Sequence, residues 1–290
     1  MPVVSRGPLK EYLKTRKKPT VILGHLDRYL QLKEGEDRPT DVLHPSEIIA
    51  KDWCLRGSYH LLRGETSGKG NPNLRAQVVF EEGHDIHDKW QHWLADDGIL
   101  WGDYGCMVCD SANRTGHRVR SLGYPDHPCQ VCGYSLWKYA ELSLSIPSLR
   151  ISGHTDGWLK LPDLGDHLLE IKSIGPGTLR YYEPSLLSAG SLEKAFTQIS
   201  RPFAGHVRQI QIYLECARRM YPDAPDRALV LYECKANQQP KEFVVERNSD
   251  IIADVLDNAY DLVRMVDRVQ EPPCSNNPAK GCAQCKEFAA

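Results

Sequence analysis

Alternating apolar and polar positions recur in the middle and second half of the chain, and longer segments with helical spacing flank them. Alternation with a period of two predicts strands, whereas apolar residues three or four positions apart predict helices. Strands are predicted at 139–146, 151–161, 167–173, 228–235 and 242–246. Helices are predicted at 46–56, 74–94, 206–220 and 251–269. This mixture predicts a protein of the α/β class.

Residues 101–137 break both periodicities and carry glycine, proline and cysteine, which predicts a small inserted module. The module holds two CxxC pairs, formed by Cys106, Cys109, Cys129 and Cys132. Four thiolates in two such pairs, with a loop of this length between them, are typical of zinc in a zinc ribbon. A closed four-thiolate site has no open position, so it stabilises a fold and performs no chemistry. The alternative is a set of four unrelated thiols.

The composition is that of a globular protein, with 41% hydrophobic and 26% charged residues in a chain of 290. The chain has no apolar run long enough to span a membrane and no signal-peptide pattern, which predicts a cytoplasmic protein without a membrane partner. Because the formal net charge is -2, nucleic-acid binding would have to rest on a local patch or on bound metal. Ten cysteines in a reducing compartment indicate metal binding rather than disulfides.

A second group of cysteines, Cys274, Cys282 and Cys285, follows a C-x7-C-x2-C pattern. Three thiolates need a fourth ligand, and the best candidate is Cys54 on the helix predicted at 46–56. Four thiolates suit either zinc or an iron–sulfur cluster, and the spacing does not choose between them. The alternative is an unstructured tail with spare thiols.

Two predicted strands carry acidic residues and a lysine. Because strand side chains alternate between faces, Glu170 and Lys172 point the same way while Ile171 points into the core. If the strands at 151–161 and 167–173 pair as a hairpin, Asp156 lies beside Glu170. Two carboxylates and an ammonium at strand ends suit a divalent-metal site for phosphodiester hydrolysis. The alternative is a surface hairpin with a solvated Glu/Lys pair.

Two predicted helices carry further polar pairs. His84 and His87 lie about one turn apart, and Gln209 and Tyr213 are four residues apart, so each pair projects from one face. Taken alone, such a histidine is more often a hydrogen-bonded helix residue than a ligand. The Gln/Tyr pair, taken alone, is an ordinary polar edge of an amphipathic helix.

Taken in order, these motifs resemble the PD-(D/E)XK nuclease superfamily. More narrowly, they resemble the RecB-type nucleases with a four-cysteine iron–sulfur cluster, which include a CRISPR-associated exonuclease family and stand-alone viral relatives. The matches are Cys54 with the first cluster cysteine, Gly83–His87 with G-x-x-x-H, Gly153–Gly157 with the aspartate motif, Glu170–Lys172 with E-x-K, Gln209–Tyr213 with Q-x-x-x-Y, and Cys274, Cys282 and Cys285 with the closing cysteines. The chain departs from the family in lacking the proline before Asp156 and in carrying the zinc-ribbon-like insertion.

The resemblance implies a restriction-endonuclease-like α/β core, a mixed sheet flanked by helices, with the zinc-ribbon-like module inserted and an iron–sulfur site clamping the termini. It divides the chain into an N-terminal arm at 1–42, a helical part at 43–100, the zinc-ribbon-like insertion at 101–137, the nuclease core at 138–271 and a cluster-binding tail at 272–290.

The resemblance also implies a function, that of a metal-dependent DNA exonuclease acting on single strands or ends in recombination, repair or CRISPR-type processing. His87, Asp156, Glu170 and the Ile171 carbonyl would hold Mg²⁺ or Mn²⁺, and Lys172 would orient the attacking water. Gln209 and Tyr213 would contact DNA or support the metal ligands, and a recombination or CRISPR-adaptation protein is the implied partner. The competing hypothesis is a catalytically silent DNA-binding or assembly subunit bearing zinc and iron–sulfur.

Overall fold

The computed structural model describes residues 22–32, 39, 41–65, 72–112, 117–276 and 282. By their contacts the residues form two compact units. The smaller comprises Met1–Asp37 and Lys69–Glu81, and the larger comprises Arg38–Gly68 and Glu82–Ala290. Among the helices of the described part, none is long and apolar enough to cross a membrane.

The smaller unit contains helix α1 (Leu23–Leu32) and the first turns of helix α4 (Leu74–Asp96). The Asp27 carboxylate accepts a hydrogen bond from the Leu74 backbone N–H at 3.1 Å, which satisfies one of the open donors at the start of α4. The N-terminal arm predicted over 1–42 therefore includes at least one formed helix.

The helices of the larger unit are α2 (Pro45–Ile48), α3 (Leu55–Leu62), the remainder of α4, α5 (Met107–Ser111), α6 (Pro176–Tyr182), α7 (Leu192–Gln198), α8 (Ala204–Met220) and α9 (Ser249–Asp267), with 3₁₀ turns at Pro147–Leu149 and Pro184–Ala189. The single helix predicted at 46–56 is wrong, because α2 ends after one turn and α3 begins only at Leu55. Cys54 has an extended backbone and precedes α3, so it lies in the break between the two helices rather than on a helix.

A mixed sheet forms the centre of the larger unit, which confirms the predicted α/β class. Its strand order is β2-β1-β6-β7-β8-β9, and β3 also pairs with β1. All pairings are antiparallel except that of β7 with β8, while β4 and β5 form a separate antiparallel pair. The strands are β1 (Leu100–Cys106), β2 (Arg118–Leu122), β3 (Trp137–Ala140), β4 (Leu142–Ile146), β5 (Ile151–Thr155), β6 (Gly157–Leu161), β7 (Gly165–Ile174), β8 (Arg227–Cys234) and β9 (Pro240–Glu246).

Two of the predicted strands are each divided by one residue. The segment 139–146 divides at Glu141 into β3 and β4, and the segment 151–161 divides at Asp156 into β5 and β6. In both cases the chain passes between the central sheet and the β4–β5 pair at the break. At Asp156 the buried alternation continues through the break, whereas at Glu141 it shifts by one residue, from Trp137 and Tyr139 in β3 to Leu142 and Leu144 in β4.

Two strands that the pattern did not predict are β2, which lies within the segment 101–137, and β1, which begins one residue before it. Both belong to the central sheet, so this segment continues the sheet. Its strand β1 contains glycine, which local propensity disfavours in strands. A side chain at Gly102 would meet the Tyr139 ring at 2.8 Å, so here the glycine makes room for a cross-strand neighbour.

Helices cover both faces of the central sheet. Leu168, Val230 and Tyr232 pack on the face covered by α8 and α9, whereas Ile171 and Leu231 pack on the face covered by the second half of α4. Successive residues of β7 and β8 thus contribute to opposite cores, as strand geometry requires.

His206, in the first turn of α8, lies in an aromatic enclosure against β8. Its Nδ1 lies 2.6 Å from the Tyr232 hydroxyl, which accepts a hydrogen bond from the Phe203 backbone N–H at 2.8 Å. Donation of the hydroxyl proton to Nδ1 requires a neutral imidazole. Burial and the nearby Lys172 ammonium lower the pKa of His206 to about 3.

His206 should make the protein less stable in mild acid. In the unfolded chain this histidine takes up a proton near pH 6.5, whereas in the folded chain it stays neutral until about pH 3. Its contribution to the free energy of unfolding is therefore fully present above pH 6.5 and falls as the pH drops toward 3. Between pH 7 and pH 5, wild type should lose about 2 kcal/mol more unfolding free energy than His206→Gln. Urea unfolding at both pH values measures this, and equal losses in the two proteins would contradict it.

Candidate active site

Asp156 occupies the junction between β5 and β6, beside β7. Gly157 pairs with Leu169, which brings Asp156 next to the second half of β7. Its Oδ2 accepts a hydrogen bond from the Ile171 backbone N–H at 2.5 Å. Thr155 Oγ1 donates toward the Leu169 carbonyl at 3.0 Å and fixes the same junction. The predicted hairpin is therefore present, and Asp156 lies against β7.

Glu170 and Lys172 lie on the same face of β7. Glu170 Oε1 and Lys172 Nζ are 2.5 Å apart, and Glu170 is only 2% exposed. Glu170 Oε2 is buried and has no hydrogen-bond partner among the described residues. An unpaired buried carboxylate oxygen is costly, and a cation in contact with it would remove that cost. The solvated surface pair considered as the alternative does not match this burial.

The charges of the site shift the pKa values of its acids and its lysine. Burial raises the pKa of Glu170 to about 7, with Lys172 opposing and Asp156 adding to the rise. Burial also raises the pKa of Asp156, but His87, Lys172 and the Ile171 N–H outweigh it, so the pKa falls below its usual value. For Lys172, burial lowers the pKa, and the two carboxylates outweigh it and raise it. Asp156 and Lys172 are therefore both charged near neutral pH.

His87 comes from the second half of α4 and faces Asp156. Its Nδ1 lies 3.2 Å from Asp156 Oδ1. Burial lowers the pKa of His87, but the Asp156 carboxylate raises it above the usual value. Since only a neutral imidazole binds a metal, ion binding here would displace a proton.

Glu141, which the sequence analysis missed, also reaches this site. It is the residue that divides β3 from β4, and its carboxylate lies with His87 and Asp156 so that one ligand atom from each falls within 4.8 Å of the others. Gln91 Nε2 donates to Glu141 Oε1 at 3.2 Å and to the Asp156 backbone oxygen at 2.9 Å. Desolvation of the carboxyl group and the charge of Asp156 raise the pKa of Glu141 to about 7. Glu141 is a single acidic residue in an apolar segment and belongs to no motif, so the sequence pattern does not identify it as a site residue.

Gln209 and Tyr213 lie on the face of α8 that packs behind the carboxylates. They are 6% and 5% exposed. A side chain at Gly153 would meet the Tyr213 ring at 3.1 Å, so the glycine of the aspartate motif lets α8 approach β5. The two residues therefore occupy the interior rather than an exposed polar edge of the helix.

The two CxxC pairs converge at the end of β1. The sulfurs of Cys106 and Cys132 are 3.4 Å apart, those of Cys109 and Cys129 are 3.7 Å apart, and all four lie within 4.8 Å of one another. Desolvation raises the pKa of Cys129, but the backbone N–H groups of Cys132 and Val131 outweigh it and lower the pKa to about 6. Two thiolates on one tetrahedral zinc are about 3.8 Å apart, given a Zn–S distance of about 2.3 Å. The four residues therefore fit a single zinc ion.

The second cysteine group is assembled from distant parts of the chain. The sulfurs of Cys54 and Cys274 are 3.8 Å apart, and Cys282 lies within 4.8 Å of both. An Arg56–Glu271 ion pair and a bond from the Leu55 N–H to Ser275 Oγ at 3.2 Å join the same two segments. Cys285, the fourth predicted ligand, lies outside the described residues. A set of thiolates suits zinc or iron–sulfur chemistry.

No protein-family model and no curated protein matches this chain. Among solved structures, it is similar to the crystal structure of SSO0001, with a TM-score of 0.36 and 14% identity over 97% of this chain and 96% of that one. It is also similar to LHK-Exo in complex with dAMP, with a TM-score of 0.42 and 12% identity over 80% and 90% of the two chains. The alkaline exonuclease LHK-Exo from Laribacter hongkongensis gives a TM-score of 0.41 and 13% identity, again over 80% and 90%. At these TM-scores the likenesses carry no argument about fold or activity.

Purified protein should contain about one tightly bound zinc at the CxxC pairs, and Cys106→Ser should lose it, because a serine hydroxyl does not replace a thiolate ligand. Zinc analysis by mass spectrometry after dialysis measures the content. The control is Cys216→Ala, which removes a buried thiol outside both groups. Equal zinc in wild type and Cys106→Ser would rule these cysteines out as ligands.

Proposed function

We propose that this protein is a metal-dependent nuclease that hydrolyses phosphodiester bonds in DNA. The observation that carries the proposal is the convergence of Asp156, Glu170, Lys172 and His87 where the β5–β6 junction meets β7. Acidic ligands, a histidine and a charged lysine around one point suit metal-assisted attack of water on a phosphate.

His87, Asp156, Glu170 and the Ile171 carbonyl would hold Mg²⁺ or Mn²⁺. Their donor atoms are the oxygen-rich set that these ions prefer, and the unpartnered Glu170 Oε2 supplies a buried ligand atom. When bound, such an ion polarises the phosphate and lowers the pKa of a coordinated water.

Lys172 is the side chain that would act directly on the attacking water and the phosphate. The carboxylate of Glu170 holds its ammonium in place at 2.5 Å and keeps it charged. A fixed ammonium can orient the attacking water and offset the negative charge that develops on the phosphate, at no reorganisation cost during the reaction. Gln209 and Tyr213, buried behind the carboxylates, would position them for this role.

The order of the motifs resembles that of RecB-type nucleases, and this resemblance supports a more specific proposal for the kind of nuclease and its DNA substrate. On that basis we propose an exonuclease that acts on single-stranded DNA or on DNA ends, in recombination, repair or CRISPR-type processing, alone or with a protein partner from those systems. With a net charge of -2, the protein would attract DNA mainly through the bound ions and local groups.

Replacing Glu170 should abolish cleavage without unfolding the protein. Glu170→Gln keeps the shape of the side chain but removes a charged ligand, and we expect the cleavage rate to fall by about a hundredfold or more. The assay is Mn²⁺-dependent degradation of end-labelled single-stranded DNA, with circular dichroism to check the fold.

The control is Glu242→Gln, the same change at an exposed position on β9. It should cleave at the wild-type rate. Wild-type cleavage by Glu170→Gln would overturn the active-site assignment, and a folded wild type that binds DNA but never cleaves it would favour the silent binding subunit instead.

The second cysteine group, in this proposal, joins segments separated by more than two hundred residues. Cys54 precedes α3, while Cys274 and Cys282 follow α9. A link that closes so long a loop restricts the unfolded chain strongly in the chain-entropy account. By resemblance we propose an iron–sulfur cluster of the four-iron type here, with Cys285 as the fourth ligand.

Protein purified without oxygen should therefore be brown and contain iron and acid-labile sulfide in addition to zinc. Cys282→Ala should be colourless and less stable to heat, because one ligand of the cluster is lost. Metal and sulfide analysis with visible absorption measures this. A colourless, iron-free wild type with two zinc ions would contradict the cluster and assign zinc to both groups.

A further inference from the structure

The strands β2, β1 and β3 present exposed side chains on one face of the central sheet, which we call the outer face. On the opposite face, Val119, Tyr104 and Tyr139 pack in the core that the second half of α4 covers. Because strand side chains alternate between faces, the residues between them form the outer face. These are Arg118, Arg120 and Leu122 of β2, Trp101, Asp103 and Gly105 of β1, and Lys138 and Ala140 of β3.

Basic side chains outnumber acidic ones on the outer face, although the whole chain has a net charge of -2. Arg118, Arg120 and Lys138 are all exposed, and the face holds one acid, Asp103. Arg120 donates two hydrogen bonds to Asp103, at 2.8 and 3.1 Å, and Lys138 Nζ lies 2.8 Å from Asp88. Arg118 has no ion-pair partner among the residues that the structure describes. The surplus of positive charge favours an anionic partner.

An aromatic ring lies beside these arginines. The Arg120 guanidinium is 5.2 Å from the centre of the Trp101 ring, and Leu122, the cross-strand neighbour of Trp101, is 47% exposed. Edge-to-face contacts with Trp158 and Tyr221 fix the orientation of the Trp101 ring. Nucleobases stack on aromatic rings and on guanidinium planes, so this part of the outer face suits an unpaired base.

The outer face adjoins the candidate active site. Arg120 pairs with Asp103, and Asp103 pairs with Ala140, so the three residues lie in one row across the strands. Neighbouring strands are about 4.8 Å apart, which puts the backbone of Arg120 about 10 Å from that of Ala140. The next residue after Ala140 is Glu141, whose carboxylate lies with those of the site. A polynucleotide at the carboxylates therefore needs only a few nucleotides to reach the arginines.

We propose that the outer face binds a single DNA strand that extends from the active site. Arg118 and Arg120 contact its phosphates, and the stack of Arg120 on Trp101 supports a base. The inference rests on the proposed nuclease function and gives the segment that carries the CxxC pairs a role in holding the substrate. A single strand fits better than a duplex, because only unpaired bases can lie flat against side chains of an open sheet.

Fluorescence anisotropy with labelled single-stranded DNA of about 16 nucleotides tests this inference. The protein is the full chain with its cysteine centres loaded, carries Glu170→Gln and is kept in Ca²⁺ instead of Mn²⁺, so the DNA stays intact. Added to this parent, Arg118→Gln should weaken binding by about threefold to tenfold and reduce the salt slope of log Kd by about 0.7, the value for one phosphate contact. Arg118→Gln with Arg120→Gln should reduce the slope by about 1.4.

Two control variants show whether the position and the charge of the arginines matter. Arg227→Gln removes an exposed arginine from β8, away from the outer face, and should bind DNA as the parent does. Arg118→Lys keeps the positive charge and should retain the salt slope of the parent. Circular dichroism checks that every variant is folded.

An unchanged affinity and salt slope in the double variant would overturn the inference and leave the outer face to another anionic partner, such as an acidic protein. An equal loss in Arg227→Gln, or a parent that binds no single-stranded DNA, would also overturn it. Mn²⁺-dependent cleavage by the chain with Glu170 intact keeps the two proposals apart. Cleavage together with unchanged binding in the arginine variants defeats only the inference, whereas weakened binding in those variants without any cleavage by wild type defeats only the nuclease.

Discussion

The hydrogen bond from the Ile171 N–H to Asp156 is the contact on which the arrangement of the site depends. It holds the residue at which the chain leaves the β4–β5 pair against the strand that carries Glu170 and Lys172. Because β7 is the strand that pairs with both β6 and β8, its position is set by the whole central sheet. The site therefore inherits the rigidity of the sheet, and a loop would not provide this.

The charges of the site favour the binding of a cation. Glu170 and Asp156 are buried, and Lys172 and His87 are the basic groups that lower the energy of their charged forms. Even so, one oxygen of Glu170 remains without a partner, and the pKa of Glu141 is raised to about 7. Such a surplus of carboxylates stores electrostatic free energy that a divalent ion would release on binding.

The two cysteine groups are separate from the carboxylate site. The CxxC group begins at Cys106, the last residue of β1, and β1 pairs with β6 at the other end. The Cys54 group joins the break before α3 to the segment after α9. Cys106, Cys109 and Cys129 are buried in the hydrophobic cluster that also contains Tyr104 and Trp137, so the CxxC group is part of the core.

The sequence by itself determined the features that depend on neighbours along the chain. The alternation of 167–173 placed Glu170 and Lys172 on one face, the CxxC spacing predicted a four-sulfur group, and the order of the motifs indicated Asp156 and His87. Tertiary structure decided what depends on contacts between distant segments. It divided two predicted strands at Glu141 and Asp156, placed β1 and β2 in the central sheet, moved Cys54 into the break between two helices and buried Gln209 and Tyr213. Glu141 acquires its place only because β3, β6 and α4 meet around it, and no local periodicity encodes such a meeting.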